Sequence, residues 1–406
     1  MASALAQVLQ FAEPADRVLH RFFKRHPGMG ARDRQAIAET VFGVLRHGRL
    51  LEHLTGGRDP RSLVLTYLTR IRGISQRQSE ARLGPKDQER IQADAGPELP
   101  LGIQADLPDW IVDKLAAVFP PERILALGSS LQQPAPLDLR IHPLKITREK
   151  ALAELRGSGL EAEPTPYSPL GIRLRGRPAL GSHPLFTQGA VEVQDEGSQL
   201  VGFLVAPRRQ HLVVDFCAGA GGKTLLLGAL MGGRGQLYAL DVAERRLARA
   251  LTRIRRADLS NVQPWRIDGA TDPKLDRLVG KADRVLVDAP CSGTGTLRRN
   301  PDLKWRQSAA GVAQLTRKQS AILAAAARLV KPGGRLIYAT CSLLPEENPA
   351  IVAIFRDSHP EFALLRAEDL LREQGISVNS GEYLQLFPDL HGCDGFFAAV
   401  LEKRQG

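Results

Sequence analysis

The sequence predicts an α/β chain: a doubly wound, mostly parallel sheet preceded by a small α+β module and an N-terminal helical region. Three observations carry this. From residue 212 onward, short β-branched runs alternate with helical stretches, as in successive βαβ units. The run Val213–Thr224 (Val-Val-Asp-Phe-Cys-Ala-Gly-Ala-Gly-Gly-Lys-Thr) reads as a buried strand, a glycine-rich turn and a helix start. Acids and cysteines then recur where the expected strands end.

The elements follow in order. Residues 1–100 are expected to form a helical region with a polar linker, 101–190 the α+β module and 191–406 the main domain. In the first region Ile37, Val41, Val44 and Leu45 share one helical face, and Arg70–Pro100 is polar and broken by glycine and proline. In the second, Pro108-Asp109-Trp110 opens a helix to about Phe119, and residues 121–132 form another. Strands are expected at 137–141, 171–174 and 190–193, with a helix at 147–157 capped by Thr147 and stopped by Gly157. In the third, strands are expected at 212–216, 236–240, 262–267, 283–288 and 335–340. Helices fall at 223–231, 243–257, 307–330 and 346–356, and Tyr383–Phe387 and Gly395–Val400 form an antiparallel pair at one edge.

Composition narrows the class. Lys and Arg number 55 against 44 Asp and Glu, a formal charge of +11, which points to a polyanionic partner such as nucleic acid. The four cysteines, Cys217, Cys291, Cys341 and Cys393, form no C-x-x-C pair, so neither a zinc site nor a disulfide framework is expected. Reduced cysteines fit a cytoplasmic setting. The first residues lack a signal-peptide pattern, and no run of about 18 apolar residues occurs, so no membrane span is expected.

Three nucleotide-type readings compete for the glycine turn. A phosphate loop needs glycine where Cys217 stands, and a dinucleotide fingerprint needs its third glycine where Thr224 stands. The third reading is an S-adenosylmethionine (SAM) site, which uses the same turn and an acid after the next strand for the ribose hydroxyls. Asp241 lies at about the 20-residue offset of such an acid. Ligands bind outside the carboxyl ends of strands in open parallel sheets. Those ends carry Asp215, Asp241, Asp268, Asp288 with Cys291, and Cys341.

A thiolate beside SAM suits methylation of an unreactive aromatic carbon. C5 of a pyrimidine is too weak a nucleophile to take a methyl group unaided. Thiolate addition at C6 makes C5 enamine-like, a base then removes the C5 proton, and an acid near N3 or N4 holds the ring. One nucleophilic cysteine, one helper cysteine and Asp288 supply that list.

The segments Asp288-Ala289-Pro290-Cys291-Ser292-Gly293-Thr294-Gly295, Arg299-Asn300-Pro301-Asp302 with Trp305, and Tyr338-Ala339-Thr340-Cys341-Ser342 with Pro345-Glu346-Glu347-Asn348 resemble the RsmB/Sun-type (NOL/NOP/Sun) RNA cytosine-C5 methyltransferases. Gln194–Ser198 and His391–Phe397 are also similar. The resemblance implies a Rossmann-like class I SAM methyltransferase domain that forms 5-methylcytidine through a covalent Cys–C6 adduct. It makes Cys341 the nucleophile and Cys291 the residue that assists release. It gives SAM binding to Cys217, Ala218, Gly219, Ala220, Gly221, Gly222, Lys223, Asp241, Asp268 and Asp288. The substrate implied is RNA, of the 16S ribosomal type, with tRNA the alternative and an RNA-binding or ribosome-assembly factor the rival class. No metal and no membrane are expected, and a monomer is. The small module is expected to bind RNA. Arg298, Arg299, Lys304 and Arg306 around Trp305 are expected to hold phosphate. Two departures stand out: Gly219-Ala220 replaces the family's Ala-Pro in the turn, and His142-Pro143 interrupts an Arg-x-Asn-x-Leu-Lys pattern.

Overall fold

The computed structural model describes residues 1–74 and 99–405; most of the expected polar linker lies outside the described residues. The chain divides into two compact units, Met1–Pro134 with Gly293–Val312, and Ala135–Ser292 with Ala313–Gly406.

The first unit is helical. Ala2–Val8, Ala15–Arg25, Ala31–Arg46, Gly48–Thr55 and Pro60–Thr66 bury Leu5, Val8, Leu19, Phe22, Val41, Val44, Leu45 and Leu51 in one core. These residues recur at three- and four-residue spacing, so each helix turns one apolar stripe inward. Asp59 caps Pro60–Thr66 by accepting from the Ser62 N–H at 2.8 Å. Helices Asp109–Ala116 and Pro121–Gln132 cluster by contact with this unit.

Segment Gly293–Val312 also belongs here, and burial corrects the phosphate-holding role expected of Lys304 and Arg298. Lys304 is buried, and its ammonium donates to the carbonyls of Arg46 at 2.7 Å and Asp106 at 2.6 Å. Burial pulls its pKa down, partly offset by the Asp106 carboxylate. Arg298 is buried as well, and Trp305 packs on the helical core with its indole N–H directed at the Leu45 carbonyl, 3.4 Å away. Arg306 pairs with Asp302 at 3.4 Å. A cation spent on buried carbonyls cannot meet phosphate.

The second unit contains two sheets. Strands β1 (Leu137–Ile141), β2 (Ala162–Pro164), β3 (Gly171–Leu174) and β4 (Val191–Val193) form an antiparallel sheet in the order β2-β3-β1-β4, with helix Arg148–Gly157 against it. Thr147 caps that helix as expected. The short β2 was not visible in the sequence, because Ala-Glu-Pro carries no strand signal.

The main sheet is built from β5 (Leu212–Asp215), β6 (Gln236–Asp241), β7 (Val262–Arg266), β8 (Ala282–Asp288), β9 (Val330–Thr340), β10 (Phe362–Leu365), β11 (Leu384–Leu386) and β12 (Phe396–Lys403). Its order is β10-β12-β9-β8-β5-β6-β7, with β11 paired to β12. The five strands from β5 to β9 are mutually parallel, and β12 runs antiparallel to β9. The expected C-terminal pair forms, but β12 lies inside the sheet because β10 covers it. Strands buried on both faces read as continuous apolar runs: Val213, Val214, Val285, Leu286, Val287, Leu336 and Ile337 are fully buried. The sheet order reverses between β5 and β8, so the carboxyl ends of β5, β6, β8 and β9 converge on the switch-point crevice.

Candidate active site

At the end of β5 the chain turns through Gly219 (φ 57°) and Gly221 (φ 83°), left-handed conformations that glycine takes without strain. A methyl placed on Gly219 or Gly222 meets nothing closer than 4.0 and 3.9 Å, so the turn shows bare backbone to open space. Helix Gly222–Leu230 starts there. The Asp241 carboxylate, at the end of β6, braces the turn by accepting from the Gly219 N–H at 2.9 Å and the Ala243 N–H at 2.7 Å. Arg140 of β1 donates to the Gly222 carbonyl at 2.9 Å. Arg253 donates to the Ala220 carbonyl at 2.7 Å. His142 is held neutral, its pKa pulled down to about 4 by burial and by Lys145 and Arg140.

Asp215 is fully buried. Its Oδ2 accepts from the Thr224 hydroxyl at 2.7 Å, and its Oδ1 has no partner. Burial pushes its pKa up to about 7, with Asp288 and Asp241 adding to the rise against Thr224 and Lys223. Lys223, placed by sequence among the SAM-binding residues, directs its ammonium to Asp288 at 2.8 Å and lies 5.1 Å from the centre of the Phe396 ring. Burial alone would lower the Lys223 pKa. The Asp288 carboxylate, its hydrogen bond and the neighbouring Cys341 and Asp215 outweigh that and raise it.

Cys291 follows β8, and Cys341, the middle residue of the Thr-Cys-Ser segment, directly follows β9. Their sulfurs stand 3.4 Å apart, and both residues are only partly buried. Cys217 lies in the turn with its thiol pushed up by burial and by Asp215, Asp288 and Asp241, a poor nucleophile. Cys393 is buried in the main core. Asp268, after the edge strand β7, is largely exposed and pairs with Arg266 at 3.4 Å.

Glu347 stands in the Pro345-Glu346-Glu347-Asn348 motif, where the sequence assigns it no role. It is fully buried and accepts from the Ser292 N–H (2.9 Å), the Ser292 and Ser342 hydroxyls (both 2.5 Å) and the Gln319 amide (2.9 Å). An acid between two prolines was the sequence signal, because two of its partners, Ser292 and Gln319, come from distant stretches. Helix Glu196–Val205 was also missed. Asp195 caps it through the Gly197 N–H at 2.8 Å and accepts from the Asp394 N–H at 3.1 Å, joining two of the quoted motifs.

The bare turn, the brace at Asp241, the unpartnered Asp215 oxygen and the acids at the strand ends suit a cationic, hydroxyl-rich ligand such as SAM, and the cation that the turn carries, Lys223, is paired with Asp288. Among the described residues no cluster of His, Cys, Asp or Glu is placed to hold a metal, and no helix is long and apolar enough to cross a membrane.

Comparison with known proteins agrees. Residues 202–402 match the 16S rRNA methyltransferase RsmB/F family, and residues 107–180 match the ferredoxin-like domain of RsmF/B-like methyltransferases. A probable ribosomal RNA small subunit methyltransferase B from Synechocystis is 34% identical over 96% of this chain and 95% of its own length. The ribosomal RNA small subunit methyltransferase B of Photorhabdus laumondii is 34% identical over 73% of this chain and 66% of its own length. The crystal structure of PH0851 is similar at 25% identity with a TM-score of 0.81, over 99% of this chain and 97% of that one. The structure of NSun6 from Pyrococcus horikoshii with SFG shares the fold at 22% identity and a TM-score of 0.65, over 74% of this chain and 99% of that one. The chain therefore belongs to the RsmB/F family of SAM-dependent RNA cytosine-C5 methyltransferases.

Proposed function

We propose that this protein forms 5-methylcytidine in small-subunit ribosomal RNA, with Cys341 as the nucleophile and Cys291 as the residue that releases the product. The observation that carries this reading is the pair of partly buried sulfurs 3.4 Å apart at the ends of neighbouring strands, beside the glycine turn. The names of the relatives support ribosomal RNA over tRNA.

The turn from Cys217 to Lys223, with Asp241, Asp268 and Asp288, would hold SAM. When bound, SAM supplies an electrophilic methyl group on a sulfonium. The Cys341 sulfur adds to C6 of the cytosine, and the electron pair of the C5–C6 double bond moves to C5, the position that is methylated. Asp288 then faces the N3–N4 edge of the ring. Lys223 holds Asp288 in place and brings positive charge to the thiolate. Cys291 takes the C5 proton, the double bond reforms, and the S–C6 bond breaks to return the Cys341 thiolate. The target base must be unstacked for the sulfur to reach C6. The protein would work in the cytoplasm as a monomer, and the small antiparallel sheet would help seat the RNA.

The test is methyl transfer from labelled SAM to small-subunit RNA. Cys341→Ala is expected to abolish transfer, by at least about a thousandfold as for loss of a covalent nucleophile, with SAM binding retained. Full activity in that variant overturns the assignment. Bisulfite mapping of the RNA then locates the cytidine.

A further inference from the structure

We propose that Glu347 is a positioning residue: its carboxylate clamps the loop after β8 to the loop after β9 and so sets the spacing of the two cysteines. This rests on the roles given above to Cys341 and Cys291.

The argument starts from who donates to it. Ser292 directly follows Cys291, and Ser342 directly follows Cys341. Both hydroxyls meet the same oxygen, Oε2, at 2.5 Å, and they stand 3.1 Å from each other. Oε1 takes the Ser292 N–H and the Gln319 amide, both at 2.9 Å, and that amide also donates to the Pro290 carbonyl at 3.0 Å. The loop of Cys291 is therefore gripped on both sides of the cysteine. Asn348 grips the other loop, donating to the Ser342 carbonyl at 2.8 Å and accepting from the Thr340 hydroxyl at 2.5 Å. Tyr338 of β9 donates to the Glu347 carbonyl at 2.7 Å and fixes the turn that carries the acid.

Only a carboxylate offers two oxygens that accept from two loops at once without donating. The four donors are neutral, so burying the charge is costly and the gain lies in geometry. A displacement of about 1 Å at reacting atoms can cost on the order of a hundredfold in rate. Glu347 hydrogen-bonds to the serines beside the cysteines and acts through them.

The experiment uses two readouts on the full-length protein. Diamide oxidises a close dithiol: the two thiols lose two electrons and two protons to the reagent and an S–S bond forms between Cys291 and Cys341. That rate depends on sulfur spacing and needs no methyl transfer. Glu347→Gln is expected to slow closure by about tenfold or more, while iodoacetamide alkylation of each cysteine stays within about threefold. In steady state kcat is expected to fall about 10- to 100-fold, with KM for SAM and RNA within about threefold. Ser342→Ala, which removes a single hydroxyl, is expected to move both readouts in the same direction and serves if the Glu347 variant fails to fold. Wild-type closure rate and kcat in a folded variant overturn the proposal. Retained activity in Cys341→Ala would instead remove the nucleophile assignment, while the closure rate still reports on Glu347.

Discussion

Asp215 sits at the foot of the glycine turn with one oxygen on Thr224 and the other unpartnered, and its pKa is raised to about 7 from 3.8 by burial. A carboxyl that stays protonated in the folded state contributes stability that is fully present below pH 3.8 and is lost as pH rises through about 7. Asp215→Asn keeps the acceptor for Thr224 and cannot ionise. The expected outcome is that the variant gains Tm relative to the wild type on going from pH 6 to pH 8. A constant Tm difference between the two proteins across that window contradicts the buried, protonated acid. The acids at the strand ends were legible because each closes a stretch that reads as a strand. Their partners were not: Lys223 reaches Asp288 across 65 positions, and Glu347 reaches Ser292 across 55.

At the scale of elements, the parallel strands announced themselves by continuous apolar runs and the helices by their spacing. What escaped was short or paired at a distance. Phe362–Leu365 is four residues long and becomes β10 only because β12 offers it an edge. Segment Leu303–Arg306, read as a basic RNA-facing stretch, is an anchor in the helical unit. There Gly48 faces the indole of Trp305, and a methyl on it would sit 2.7 Å from Cζ2. Gly48→Ala is expected to destabilise the helical unit by about 1–3 kcal/mol, through overpacking against a ring held on a core. A lower urea midpoint at unchanged slope checks this, and an unchanged midpoint contradicts it.

For the whole molecule the division into units cuts across the sequence order, because Gly293–Val312 leaves the loop after Cys291 and clusters with the N-terminal helices. Composition cannot reveal such a return. It does reveal charge. With a net +11, RNA binding is expected to weaken at least about tenfold between 50 and 200 mM salt through counterion release. SAM binding is expected to change little over the same range, since no array of phosphates is neutralised. Equal salt sensitivity of the two ligands contradicts a polyanion-directed charge.

The central claim is that the sulfur of Cys341 bonds to the RNA base and that Cys291 lets it go. The most direct measurement incubates Cys291→Ala with SAM and substrate RNA, denatures the mixture and resolves it by electrophoresis. A slow-migrating, nuclease-sensitive band that disappears when Cys341→Ala is added to the same chain is the predicted result. A band that persists without Cys341, or normal turnover in Cys291→Ala with no band, contradicts the account.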